Sequence, residues 1–167
     1  MNYYFRRIKT DDIDSIWSLI ELLKAEGSEV SFTEFTGKEE IMNFIDNPAQ
    51  LSYVAVTKKE PSHVLCLVRG RRDISIEKSH AAFLTAATHP DARGSGLAAE
   101  LTNFALDQMK KAGVNIARIY VYSNNQASLN AVKKLGFVHA GTVLRHHVNQ
   151  VTGEYVDDLI FHKILEA

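Results

Sequence analysis

A glycine-rich turn between an apolar strand and an amphipathic helix constrains this chain more than any other stretch. His80 to Thr88 is β-prone, Pro90 interrupts it, and Arg93-Gly94-Ser95-Gly96-Leu97-Ala98 opens a periodic segment that runs through Lys111. Leu97, Leu101, Phe104, Ala105, Gln108 and Ala112 recur at helical spacing, which predicts a helix with one face on a core. Small residues at such a turn let backbone N–H groups approach an anion, and the helix N-terminus adds positive potential. The turn lacks the third glycine of a dinucleotide fingerprint and has no Gly-Lys-Ser/Thr ending, so it is neither of the common nucleotide loops.

The remaining chain supplies a single domain over residues 1–167, of which 46% is hydrophobic and 23% charged. Tyr3 to Lys9 predicts a strand, and Thr10-Asp11-Asp12 offers capping oxygens to a helix with Ile13, Ile16, Trp17, Ile20 and Leu23 on one face. A loop over Ser28 to Thr36 and a second helix over Gly37 to Asp46 follow, ended by Asn47-Pro48. Leu51 to Thr57 and His63 to Arg69 predict an antiparallel hairpin, and Arg69, Arg71 and Arg72 are expected to leave it as a solvated basic edge. After the glycine-rich turn and its helix come a strand over Ile116 to Tyr122, a helix over Gln126 to Leu135, and two strands around Val151-Thr152-Gly153. The order gives an α/β (α+β) fold: a mixed, mostly antiparallel sheet flanked by helices, with a C-terminal β-hairpin.

Charge and composition narrow the partners. With 19 basic and 20 acidic residues the net charge is −1, which provides no bulk field for nucleic acid or an anionic membrane. Cys66, the single cysteine, lies in an apolar run and is expected to be a buried, unreactive thiol. The N-terminus lacks a signal-like apolar core, so a cytoplasmic protein without a membrane span is expected. His139, His146, His147 and His162 are not expected to bind metal, because adjacent histidines on a regular strand face opposite ways.

Three segments together resemble one known family. Arg93 to Ala98 resembles the pyrophosphate-binding turn of GNAT acetyltransferases, and Asn125 through Lys134-Leu135-Gly136-Phe137 looks like that fold's later stretch ending in glycine and phenylalanine. Gly141 to Arg145 and Gly153 to Asp158 resemble the closing hairpin of the branch containing ribosomal-protein and small-amine acetyltransferases. The resemblance covers Leu51 to Leu165 and implies an N-acetyltransferase that moves the acetyl group of acetyl-CoA directly to an amine. It implies pantetheine along Ala86-Ala87-Thr88, pyrophosphate on Arg93, Gly94, Ser95, Gly96, Leu97 and Ala98, Asn125 at the pantetheine arm, and Lys134 near the adenosine phosphates.

Two positions depart from the pattern: Val132 stands where many relatives have a tyrosine acid, and Phe83 where close relatives have glutamate. Neither side chain moves a proton. Ser128, one turn before Val132, is the candidate donor to the leaving thiol, with His80 and Tyr155, which alternates onto one strand face with Asp157, as further catalytic candidates. Glu26, Glu29, Glu34 and Asp157 are expected to favour a cationic amine where the Glu26 to Thr36 loop meets the hairpin. The hairpin, through an apolar strand over Val156 to Leu165, is expected to support a homodimer. The departures at Val132 and Phe83 leave a non-catalytic acyl-CoA-binding regulatory module as the alternative.

Overall fold

The computed structural model describes residues 2–28 and 30–165. In chain order these form β1 (Tyr3–Arg7), α1 (Ile13–Ala25), α2 (Lys38–Asp46), β2 (Gln50–Thr57), β3 (Cys66–Arg72), β4 (Ala81–Thr88), α3 (Leu97–Lys111), β5 (Ile116–Tyr122), α4 (Gln126–Lys134), β6 (Val138–Val148) and β7 (Tyr155–Ile164). All seven strands join one sheet in the order β1-β2-β3-β4-β5-β7-β6. Every pairing is antiparallel except β4 with β5, so the expected mixed sheet and terminal hairpin are both present.

Helices cover both faces. The apolar stripe of α1 buries Ile16, Leu19, Ile20 and Leu23 against Val54, Val56 and Leu67, with Phe44 of α2 in the same cluster. On the other face Leu97, Leu101, Ala105 and Met109 of α3 pack with Val68, Leu84, Ile119 and Phe161. Burying such side chains contributes ~1.5–3 kcal/mol each, so the two layers hold the sheet rigid between them. A buried ion pair ties β1 to the start of α1: the Asp12 carboxylate accepts from Arg6 at 2.7 and 2.6 Å and from the Lys9 N–H at 2.9 Å.

Several boundaries differ from the sequence expectation for local reasons. The N–H of Val64 donates to Ser15 Oγ on α1 at 2.8 Å, and regular pairing of β3 therefore begins at Cys66 rather than His63. The Ser28 to Thr36 loop contains a 3-10 turn, Ser31–Glu34, that buries Phe32 beside Phe35 and Phe44. Arg69 is not on a solvated edge, because β3 is interior: its Nε donates to Gln50 Oε1 at 2.9 Å and its guanidinium lies 4.2 Å from the Phe44 ring. Burial, reinforced by Arg71, lowers the Arg69 pKa to about 10. The strand at the sheet end is β6, and the apolar C-terminal strand expected there, now β7, is paired on both sides.

Candidate active site

β4 and β5 pair only from Ala81↔Ile116 to Leu84↔Ile119, after which they part. Thr85 to Thr88 stay paired with β3, while their other edge faces an opening instead of a strand. Unmatched backbone donors and acceptors on such an edge suit an extended polar chain. Ala86 is exposed along it, Ala87 is buried and Thr88 half-buried, so the slot is formed by backbone more than by side chains.

The slot leads into the glycine-rich turn. Gly94 and Gly96 have φ of +75° and +79°, and a Cβ at either would meet nothing within 4 Å. Glycine is therefore required by the left-handed backbone rather than by crowding. Ser95 Oγ donates to the Ala92 carbonyl at 2.6 Å, fixing the turn, and the first N–H groups of α3, from Leu97 and Ala98, have no carbonyl one turn earlier in the helix to bond, the Leu97 N–H reaching only Ser95 Oγ at a long 3.4 Å. This is a cradle that a diphosphate fits. Arg93 at its rim is ion-paired with Glu26 at the end of α1. That hydrogen bond, with a smaller one from Ser28, holds the Glu26 carboxyl below its ordinary pKa and raises the Arg93 guanidinium.

A short turn carries β5 into α4 at the open end of the slot. The Asn125 N–H donates to the Tyr122 carbonyl at 2.9 Å, and its side-chain Oδ1 caps α4 by accepting from the Ser128 N–H at 3.1 Å. Ser128 is half-buried beside that cap, Val132 is buried in the core below it, and Lys134 is exposed in the last turn.

On the α1/α2 side of the sheet Phe83 meets Tyr120 of β5 with ring centroids 5.3 Å apart, and Arg118 and Arg71 lie over it at 5.7 and 6.0 Å. Thr85, two residues on, has a buried hydroxyl without a hydrogen-bond partner. His80 is not brought to the slot: it precedes β4, its carbonyl accepts the N–H of Asn115 at 2.8 Å, and its side chain is exposed at the end of the strand away from the turn.

The hairpin contributes a cluster that regular alternation hides. Pairing of β6 with β7 shifts register between Val143 and His147, and Arg145 in that bulge has φ of 51°. The bulge overturns the expectation that His146 and His147 face opposite ways, since their Nδ1 atoms are 3.2 Å apart. Tyr122 lies against both rings, at 4.6 Å from His147 and 5.8 Å from His146. Asp158, which pairs with Tyr122 across β5 and β7, is buried, with Oδ2 3.9 Å from His146 Nε2 and Oδ1 unpartnered. Burial pushes its pKa up, against the lowering pull of His146 and His147. Among the described residues no three His, Cys, Asp or Glu side chains are grouped to hold a metal ion.

Tyr155 and Asp157 serve the bulge: the Tyr155 ring lies 4.8 Å from the Arg145 guanidinium, and Asp157 Oδ1 accepts from the Arg145 N–H at 2.8 Å. Glu34 is exposed on the 3-10 turn, and Glu29 lies outside the described residues. The only sequence sign of the histidine cluster is the His146-His147 pair itself, because a bulge leaves no mark in a strand without glycine at the turn.

Comparison with known proteins matches residues 16–137 to the acetyltransferase (GNAT) family. The chain belongs to the GNAT family. Transfer of an acetyl group from acetyl-CoA to an amine is the typical activity of that family. N-alpha-acetyltransferase 30 of Saccharomyces cerevisiae is 22% identical over 113 residues, covering 64% of this chain and 62% of the yeast protein. The chain thus spans less than two thirds of that relative. In fold it is similar to the ribosomal-protein-alanine N-acetyltransferase of Brucella melitensis, with a TM-score of 0.81, 19% identity and coverage of 96% and 99% of the two chains. It is also similar to yncA of Salmonella typhimurium, solved with its cofactor acetyl-CoA, with a TM-score of 0.83, 14% identity and coverage of 98% and 94%.

Proposed function

We propose that this GNAT chain, one domain over residues 1–167, is an N-acetyltransferase that moves the acetyl group of acetyl-CoA directly to a primary amine. The observation that carries the reading is the parting of β4 and β5 beside a glycine cradle at the start of α3. When bound, acetyl-CoA supplies the activated acetyl group as a thioester. Arg93, Gly94, Ser95, Gly96, Leu97 and Ala98 hold the diphosphate, the open edge of Ala86, Ala87 and Thr88 pairs with pantetheine, and Lys134 lies toward the adenosine phosphates. Asn125 positions the start of α4, from which Ser128 donates to the departing sulfur.

The amine must be neutral to attack. His146 and His147, held together by the bulge, accept its proton as a pair, and the Asp158 carboxylate stabilises the cation that forms. Tyr155 and Asp157 keep the bulge in shape. An α-amine near pKa 8 is partly neutral at pH 7, whereas a lysine-like amine near 10.4 is neutral roughly once in a few thousand molecules, so this modest base favours α-amines. His80 has no part in proton transfer in this reading.

Calorimetry with acetyl-CoA followed by acetyl transfer to a panel of amines tests the proposal. Binding without transfer to any amine would instead favour the regulatory acyl-CoA-binding module, for which Val132, buried in the core, and the half-buried Phe83 argue. Independence of nucleic acid fits the net charge of −1, and no described helix is long and apolar enough to cross a membrane. A homodimer through the hairpin is supported by edge strand β6, where Val143, Leu144 and Val148 are exposed. Light scattering that finds only monomer at high concentration would remove it.

A further inference from the structure

We infer that the acceptor is a small α-amino acid or similar amine whose neighbouring carboxylate is held in a basic cavity that begins at Phe83. The inference rests on the acetyltransferase reading above and names the acceptor class for that site. A cavity of about 650 Å³ opens on the α2 side of the sheet and is lined by Phe83, Arg118, Arg71, Arg72, Lys78 and His80, among others. Its volume is in the range that takes a small molecule rather than a folded partner.

The cavity's charge is one-sided. Asp73 is its one carboxylate, and that group accepts from the Ser75 N–H at 2.8 Å with Lys78 close by. Among the described residues neither Arg71 nor Arg118 has an ion-pair partner, and both instead lie over the Phe83 ring. Arg72 donates through Nη1 to the Ala112 carbonyl at 2.7 Å, while its buried Nε has no partner. Arg69, two residues before Arg71 on the same face of β3, is a half-buried cation beyond the cavity's lining. Like charges gathered in one concave site repel unless an anion neutralises them, and guanidinium forks match a carboxylate in two-point geometry.

Geometry links this cavity to the place of transfer. Phe83 borders it, and Thr85 with its unpartnered hydroxyl is two residues further along the same face of β4, about 6.6 Å away, where β4 and β5 part. In this inference a carboxylate sits between Arg71 and Arg118, with the α-amine of the same molecule on the Thr85 side, toward the slot. A polyamine would meet Arg71, Arg118 and Lys78 there, with Asp73 as the one carboxylate to receive it. The acidic loop positions Glu26 and Glu34 do not offset this: Glu26 is taken by Arg93, and Glu34 is exposed on the 3-10 turn.

The test measures acetyl transfer from acetyl-CoA to the twenty amino acids, to their carboxamides and to short peptides beginning with aspartate or glutamate. The expected result is at least tenfold higher kcat/KM for an amino acid than for its carboxamide, with that preference collapsing toward unity in Arg118→Gln and in Arg71→Gln. Thermal melting confirms folding, and Arg71→Gln changes an exposed side chain should Arg118→Gln unfold. Equal use of acid and carboxamide, an unchanged preference in both folded variants, or a preference for acidic peptides over free amino acids would overturn the inference while leaving the acetyltransferase reading intact. Transfer to no amine at all would overturn both.

Discussion

The Nδ1 atoms of His146 and His147 lie 3.2 Å apart, although the two residues are adjacent in a strand. Regular pleating would place them on opposite faces, and the bulge at Arg145, with its φ of 51°, turns them together. At that distance one Nδ1 must carry a proton for the other to accept. The left-handed backbone of a non-glycine residue costs ~1–2 kcal/mol, which the Asp157 acceptor and the Tyr155 ring around Arg145 offset.

Asp158→Asn tests whether the carboxylate supports this pair. Removing the carboxylate 3.9 Å from His146 Nε2 takes away the group proposed to stabilise the cation formed there, so kcat/KM should fall several-fold. Stability should move the other way. The Asp158 pKa is raised in the fold by burial, so the folded protein binds the proton more tightly than the unfolded chain. Its ionisation weakens the fold as pH rises from the ordinary carboxylate range through the raised value, and Asp158→Asn should remove that slope. Denaturant unfolding from pH 3 to 7 reads the slope, and an unchanged rate profile would detach Asp158 from catalysis.

Gly96→Val should separate binding from folding. A Cβ there meets nothing within 4 Å, so the fold loses only the cost of a left-handed β-branched residue, ~1–2 kcal/mol. The new side chain would occupy the approach to the α3 N–H groups, and acetyl-CoA affinity should fall at least tenfold by calorimetry. Unchanged affinity in a folded variant would remove the diphosphate from this turn.

The layered fold was legible because its signals are local and repeated: the stripe of α1, the turn into α3 and the alternation of the hairpin each state one element. The glycine turn into α3 was legible for the same reason, since left-handed positions at Gly94 and Gly96 require the residue found there. What escaped notice was set by pairing. Arg69 reads in sequence as a strand-end cation, but β3 is interior, and His80 precedes β4 at the end away from the slot. The histidine pair depends on a register shift between two strands, which neither strand's sequence encodes alone.

Asp12→Ala should be among the most damaging single changes. Asp12 is fully buried and joins the Arg6 guanidinium to the Lys9 N–H, so its loss strands a partly buried cation and an N–H donor. Breaking such a pair from one side costs ~3–5 kcal/mol, and denaturant midpoints should fall accordingly. Asp12→Asn, which keeps an acceptor for Lys9, should lose less. A loss under 1 kcal/mol for Asp12→Ala would mean that the chain relaxes to solvate Arg6.

Glu26→Gln addresses the ion pair at the rim of the cradle. Arg93 is proposed to hold diphosphate, yet in the structure its guanidinium is engaged by Glu26 at the end of α1. An incoming diphosphate must compete with that carboxylate, so neutralising it should raise acetyl-CoA affinity two- to fivefold, whereas Arg93→Gln should lower affinity and flatten its dependence on salt. The pair also predicts a pH effect in the wild type. Because Arg93 holds the Glu26 pKa below its ordinary value, the pair persists through the usual carboxylate range and is lost only as pH falls through that depressed value. Affinity in Glu26→Gln should therefore exceed that of the wild type at pH 7, with the two converging as acid releases Arg93. Calorimetry at both pH values reads this, and weaker binding in Glu26→Gln at pH 7 would show that Glu26 orients Arg93 for the diphosphate instead of competing with it.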